Sequence, residues 1–274
     1  MQTETIIDSN YQRRFGGIAR LYGDAGLLRL QRAHVCVIGI GGVGSWVVES
    51  LARSGVGEIT MIDMDMVAES NINRQILAGT DSIGRDKIAV MRERLEQINP
   101  GCKINCVDNF ITHDNLSDLI NEVMSFVVDC IDDFRTKAAL IHFCKLRKID
   151  ILTVGGAGGQ LDPSKIKQSD LSRTQHDVLL AKTRKLLRQD YKFPRNLKRS
   201  FSIACIYSDE QLVFPDGQGG ITATRPTIER SASGVTDLPS NALNCAGGLG
   251  SITHTTGAFA FFATAHVLNK LVQT

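Results

Sequence analysis

Residues 35–44 read VCVIGIGGVG. The unbroken apolar run 35–38 predicts a buried strand, and the glycines at 39, 41, 42 and 44 predict a tight turn that opens a helix. The spacing Gly39-x-Gly41-x-x-Gly44 is that of a loop whose backbone approaches a phosphate. Gly42, the extra glycine inside the motif, would leave room for a nucleotide close to a reacting group. Nineteen residues beyond Gly44, Asp63 ends the next strand-like segment, EITMID over 58–63, where a carboxylate can accept two ribose hydroxyls. On these features alone an NAD-dependent dehydrogenase is the leading reading. The open question is whether the phosphate belongs to a redox dinucleotide or to an ATP that is cut.

Outward from this loop the chain alternates. Strands are expected at 34–39, 58–63, 103–107, 124–130 and 150–154, and helices at 43–54, 86–98 and 134–147. That rhythm, with continuous apolar strands, predicts an α/β fold: a Rossmann-like, mostly parallel sheet with helices on both faces. The alternation stops at the glycine run 155–159, so the catalytic sheet is expected to end before residue 160. Residues 171–199 look helical and then irregular, 201–207 look like a strand, and 209–240 are loop-rich. The expectation is one domain over 1–274, with an ATP-binding core at 11–160 and a substrate-specific extension at 161–274.

Composition adds bounds. With 43% hydrophobic and 22% charged residues the 274-residue chain is an ordinary globular protein, and MQTETIIDSN lacks the basic start and apolar core of a secretory signal. A cytoplasmic protein is expected. Seven cysteines (36, 102, 106, 130, 144, 205, 245) contain no CxxC pair, which argues against a zinc site of two such pairs and against a disulfide framework. Cys36 and Cys130 read as packing residues, and Cys245 is the best candidate for a reactive thiol, although a small buried residue is the commoner use. The apolar segment 245–272 is interrupted by His254 and His266 and reads as a buried helix, with Ala258, Phe259, Phe262, Ala265 and Leu268 on one face. Those two histidines read as core residues; His113, His142 and His176 read as surface or cap residues.

A second set of residues shifts the balance toward ATP. Asp63-Met64-Asp65 is followed by Ser70-Asn71-Ile72-Asn73-Arg74-Gln75 and then by Gly84-Arg85-Asp86-Lys87. A nicotinamide site needs no such cations, whereas cutting ATP between its α- and β-phosphates builds negative charge on the departing pyrophosphate that Arg and Lys stabilise. Singly, Arg74 or Lys87 would be read as a solvated charge. Asp132 follows the fourth strand, where a carboxylate points into the ligand crevice and suits magnesium; Asp129 reads as a structural acid and Asp133 as a helix cap.

The combination GIGGVGS, DMDMVAESNINRQ, GRDK and DCIDD at 129–133 resembles the ubiquitin-activating-enzyme-like adenylating family (the ThiF/MoeB type) over about residues 11–160. The resemblance implies that Gly39, Gly41, Gly42, Gly44, Asp63, Asp65 and Asn71 bind ATP, that Arg74 and Lys87 contact its phosphates, and that Asp132 holds Mg2+. It further implies a homodimer in which an N-terminal arginine reaches the partner's site: Arg14 in YQRRFGGI, with Arg13 as the other candidate. The missing CxxC pairs, the segment SKIKQSDLSRTQHDVLLAKTRKLLR and the glycine-rich CAGGLGS resemble the branch that dehydrates threonylcarbamoyladenosine in tRNA, and extend the likeness to nearly the whole chain. That branch implies adenylation of the threonyl carboxylate at tRNA position 37, ring closure with loss of water, a monovalent cation (Na+ or K+) near the segment after residue 160, and a sulfur-transfer partner such as a cysteine desulfurase or sulfur acceptor. No zinc and no NAD are expected.

Charge distribution agrees with an RNA substrate. Between 182 and 199 stand Lys182, Arg184, Lys185, Arg188, Lys192, Arg195, Lys198 and Arg199 against one acid, Asp190. Tyr191 and Phe193 lie among them as candidates to stack on a base. Without the family context the segment reads as a solvated helix face and a basic loop. Two rivals stand beside the tRNA reading: an adenylyltransferase for the C-terminal Gly-Gly of a small sulfur carrier, and a scaffold without activity.

Overall fold

The computed structural model describes residues 9–224 and 249–273; Cys245 and most of CAGGLGS lie outside them. The chain runs α1 (Ser9–Arg32), β1 (His34–Ile38), α2 (Gly44–Arg53), β2 (Glu58–Ile62), α3 (Lys87–Ile98), β3 (Lys103–Val107), α4 (Leu116–Leu119), β4 (Phe126–Asp129), α5 (Phe134–Arg147), β5 (Ile151–Val154), β6 (Ile166–Asp170), α6 (Val178–Asp190), β7 (Ala204–Ser208), β8 (Phe214–Pro215), β9 (Ile221–Thr222) and α7 (Thr253–Leu271).

Seven strands form one sheet in the order β3-β2-β1-β4-β5-β7-β6, all parallel except β6, which runs antiparallel to β7. β8 and β9 make a separate small hairpin. Side chains alternate across the sheet as the pleat requires. Val35 and Val37 of β1 join a core with α2, α3 and α7, while Cys36 and Ile38 join the opposite core with α5 and α6. Burial on both faces is the reason these strands read as continuous apolar runs. Between β1 and β4 the strand order reverses, the place where open α/β sheets bind ligands beyond the carboxyl ends of their strands.

The expected end of the sheet before residue 160 is corrected: β7 pairs with β5 and β6 closes the edge. β6 is IKQSD, with only Ile166 buried, so it lacks the apolar run that marks an inner strand. The face expected for α7 is also corrected. Phe262 and Ala265 are exposed and Ala258 half-buried, while Thr256, Phe259, Ala260, Ala263, Val267 and Leu271 face inward. His254 is exposed, bonded to the Leu161 carbonyl at 3.0 Å; His266 is half-buried with its ring edge-on to Phe126. Among the described residues no helix is long and apolar enough to cross a membrane.

Candidate active site

The glycine loop shows why each glycine stands where it does. Gly39 has φ 84°, the left-handed region that favours glycine. A Cβ on Gly44 would lie 1.8 Å from the Gly39 carbonyl oxygen, so α2 can start this close to β1 only with glycine there. A Cβ on Gly41 would meet no atom within 4 Å, because that position borders the open cavity. Gly42 borders the same cavity, and a Cβ on it would lie 3.2 Å from Thr256 Cγ2 and 3.6 Å from the Arg74 stem, so its missing side chain also lets those two residues pack against the loop.

A cavity of about 680 Å³ opens over this loop at the reversal between β1 and β4. Gly39, Gly41, Gly42, Asp63, Asp65, Asn71, Arg74, Lys87 and Asp132 all line it. Gly44 and Arg14 do not: Gly44 acts through packing, and Arg14 lies on α1, bonded to the carbonyls of Gln97 (3.3 Å) and Ile98 (3.2 Å) at the far end of α3. Within one chain Arg14 is therefore remote from the other candidates.

Asp63 is fixed by two main-chain donors: Ile40 N–H donates to Oδ2 (2.6 Å) and Asp65 N–H to Oδ1 (2.8 Å). Burial pushes its carboxyl pKa up, and Lys87 opposes that rise. Lys87 is buried at the start of α3 and donates to Asp65 Oδ2 at 2.7 Å. Arg74 donates to the Ser70 carbonyl (2.5 Å) and to Asn73 Oδ1 (3.0 Å), and Asn71 is buried with Oδ1 accepting from Ala68 N–H (3.1 Å). This turn is tied to α2 and to the start of α7: Trp46 Nε1 of α2 and Thr256 Oγ1 of α7 both donate to the Arg74 carbonyl, and Asn73 Nδ2 donates to the Ser251 carbonyl just ahead of α7. Asp133 caps α5, accepting from Thr136 N–H at 2.8 Å, as expected. Asp132 is exposed into the cavity, and none of the described residues bonds its carboxylate.

The cavity wall also holds residues whose sequence context gave no signal. Gly155–Gly158 follow β5, and the Gly156 amide donates to Asp177 Oδ2 at 2.8 Å. Ser251 and Thr256 arrive from about 180 residues away, a contact that local pattern cannot reveal. Gln75 is 5% exposed, and its Oε1 has no partner among the described residues.

The basic segment divides. Lys185, Lys192, Arg195, Lys198 and Arg199 are exposed. Arg184 turns inward to Thr174, and Arg188 lies 5.0 Å over the Phe201 ring with Nε toward the Pro194 carbonyl. Those two are half-buried and these contacts hold α6 to the body, so they are less open to RNA than the five exposed cations. Phe193 is buried against Phe201 and Tyr191 is packed on His142, so Phe193 is not open to a base. Lys182 alone of the eight lines the cavity.

Among the described residues no three His, Cys, Asp or Glu side chains gather as a metal site. A magnesium ion that arrives with a nucleotide needs less: one or two carboxylates, with phosphate oxygens supplying the rest. The unpartnered Asp132 fits that requirement.

The ThiF family model matches residues 11–274. The chain is 49% identical over 264 residues to the tRNA threonylcarbamoyladenosine dehydratase of Haemophilus influenzae, covering 96% of this chain and 95% of the relative. The crystal structure of E. coli tRNA N6-threonylcarbamoyladenosine dehydratase in complex with ATP superposes with a TM-score of 0.84 at 42% identity, covering 98% of this chain and 97% of the other. The E. coli sulfur carrier protein ThiS adenylyltransferase is 34% identical over 138 residues, half of this chain and 55% of its own.

Proposed function

The chain belongs to the ThiF family, and from that premise we propose that it is an ATP-dependent tRNA threonylcarbamoyladenosine dehydratase. The observation that carries the reading is the convergence of Gly41, Asp63, Arg74, Lys87 and Asp132 on one cavity at the sheet's reversal. Near-complete matching to dehydratases, against half-chain matching to a carrier adenylyltransferase, selects the substrate.

In this mechanism the glycine loop lets backbone lie against the phosphates, and Asp63 accepts the ribose hydroxyls. A threonyl carboxylate oxygen attacks the α-phosphorus, and the bond to the bridging oxygen breaks with its electron pair leaving on pyrophosphate. Arg74 and Lys87 stabilise that growing charge. Asp132 would hold a magnesium ion, which when bound neutralises phosphate charge. The adenylated carbonyl carbon is then attacked by the neighbouring carbamoyl group. The ring closes, AMP departs with the former carboxylate oxygen, and a proton is lost, so the nucleoside is lighter by one water.

The test is incubation with ATP and tRNA carrying the threonylcarbamoyl group, followed by mass spectrometry of the digested nucleosides. Loss of one water from that nucleoside is expected. An unchanged nucleoside, with a carrier-protein adenylate formed instead, overturns the reading.

Asp63 must be ionised to accept both hydroxyl hydrogens, and its pKa is raised by burial. AMP affinity should therefore fall with decreasing pH, beginning at a higher pH than an exposed aspartate would dictate, and Asp63→Asn should remove that pH dependence; titration calorimetry across the acid range checks it. For Arg14, a role in the partner's site predicts that mixing inactive Arg14→Ala and Asp132→Ala chains restores up to about a quarter of the activity, one competent site in each mixed dimer at random pairing. No recovery assigns Arg14 to its own α3 instead.

A further inference from the structure

Adenylation brings two anions together, the polyphosphate of ATP and the carboxylate it activates, and like charges at close range repel unless cations lie between or beside them. In the cavity Arg74 and Lys87 stand on the side of β2 and the turn after it, and Lys87 is already paired with Asp65 at 2.7 Å. The opposite wall, built by α5 and α6, carries one cation that reaches the cavity: Lys182.

Three observations set Lys182 apart from its neighbours. It is half-buried, and no ion pair holds it among the described residues; its contact is the Phe134 ring, whose centroid lies 5.5 Å from Nζ. Phe134 and Asp132 line the same cavity, so the ammonium sits beside the segment that carries the proposed magnesium ligand. The helix that presents it is anchored to the cavity floor. Asp177, buried ahead of α6, accepts from Leu180 N–H (2.8 Å) at the helix start and from Gly156 N–H (2.8 Å) in the loop after β5. Leu180, Thr183 and Leu187 are buried along the inward face of α6. Lys182 thus stands on an anchored helix with its ammonium in no ion pair among the described residues. An aromatic face steadies an ammonium without neutralising it, which leaves the charge available to an incoming anion.

The same helix continues outward. Lys185 follows one turn later and is exposed, and Lys192, Arg195, Lys198 and Arg199 extend the exposed basic surface beyond the helix end. A polyanion lying on that surface would be led toward the cavity mouth, where Lys182 is the innermost cation of the row.

We propose that Lys182 receives the carboxylate to be activated, as a specificity-determining residue that tells the threonylcarbamoyl-bearing nucleotide from an unmodified one. The inference rests on the dehydratase reading above. It assigns Lys182 to the reacting group and the exposed cations from Lys185 onward to tRNA phosphates.

The experiment measures binding without ATP, by filter retention, to one tRNA with and without the threonylcarbamoyl group, over a range of salt. Wild type is expected to prefer the modified tRNA. Lys182→Gln should reduce that preference about tenfold, the scale of one charged hydrogen bond, and Lys182→Arg should keep most of it. Lys185→Ala should weaken both tRNAs equally and flatten the salt slope by about one. Equal weakening of both tRNAs by Lys182→Gln would make Lys182 another phosphate contact and overturn the inference. So would an unchanged preference, or a wild type with no preference. Wild-type conversion of the nucleoside in the same preparation, read by its loss of water, keeps the two levels apart: conversion with a failed Lys182 result removes only the assignment of Lys182, whereas no conversion removes the dehydratase reading itself.

Discussion

Asp132→Ala is expected to lower ATP-dependent turnover about 10³-fold, equivalent to roughly 4 kcal/mol of transition-state stabilisation, with no measurable change in melting temperature. The two halves of this expectation have separate grounds. Asp132 lies past the end of β4, exposed into the cavity with no bonding partner among the described residues, so its loss removes no contact that the fold uses. Surface changes of that kind stay within about 0.5 kcal/mol. Its proposed work is done only when nucleotide and magnesium are present, and charge that develops on departing pyrophosphate is what that work offsets. Steady-state turnover at saturating ATP, beside thermal unfolding of the same preparation, checks both halves. A variant within tenfold of wild type would remove Asp132 from the metal site, and an activity loss that tracks a fall in stability would make it a structural residue.

The neighbouring Asp133 gives the contrast. Its carboxylate caps α5 through Thr136 N–H at 2.8 Å, so a change there acts on a helix end instead. Consecutive aspartates thus separate into a ligand candidate and a cap, and this distinction was legible in DCIDD because position relative to a strand end and a helix start decides it. The glycine spacing was legible for the same reason: β1, turn and α2 are contiguous, and local pattern describes contiguous structure well. Four features were hidden, each by a nameable cause. β6 is an exposed edge with a polar sequence. α1 is polar over most of its length and buries only Tyr11, Phe15, Gly26, Leu27 and Leu30, so its periodicity is weak. α7 carries Phe259 on its inward face and Phe261 and Phe262 on its outer one, so aromatic content misleads about its orientation. The basic run 182–199 is uniform in sequence, and only packing on Thr174 and Phe201 reveals that Arg184 and Arg188 turn inward while Lys182 turns to the cavity.

Lys137→Met is expected to destabilise the protein by about 3–5 kcal/mol, the loss that follows when one partner of a buried ion pair is removed. In FRTKAALI this lysine looks like an ordinary helix-surface charge. It is instead fully buried, as is Asp129, and its Nζ donates to Asp129 Oδ2 (2.8 Å), Thr153 Oγ1 (3.1 Å) and the carbonyl of Val154 (3.0 Å). Thr153 Oγ1 also donates to Asp129 Oδ2 at 2.6 Å, and Ile131 N–H donates to Asp129 Oδ1 at 3.1 Å. The ammonium therefore joins the carboxyl ends of β4 and β5, the two strands whose following loops carry Asp132 and Gly155–Gly158 into the cavity. Methionine matches the stem but leaves the Asp129 charge buried beside two neutral donors, and the cost of an uncompensated buried charge exceeds what the pair gains by forming. That asymmetry makes a second expectation. Asp129→Asn combined with Lys137→Met should be less destabilised than the sum of the two single variants by about 1–3 kcal/mol, because the double variant leaves no isolated charge. Urea unfolding with an unchanged m-value measures each of these quantities. Because Asp129 also fixes the Ile131 amide, Lys137→Met should slow adenylation by loosening the loop that bears Asp132 even where the protein is fully folded. Additive energies in the cycle, or a single-variant loss below about 1 kcal/mol, would show that the two strand ends are held by their ladder alone.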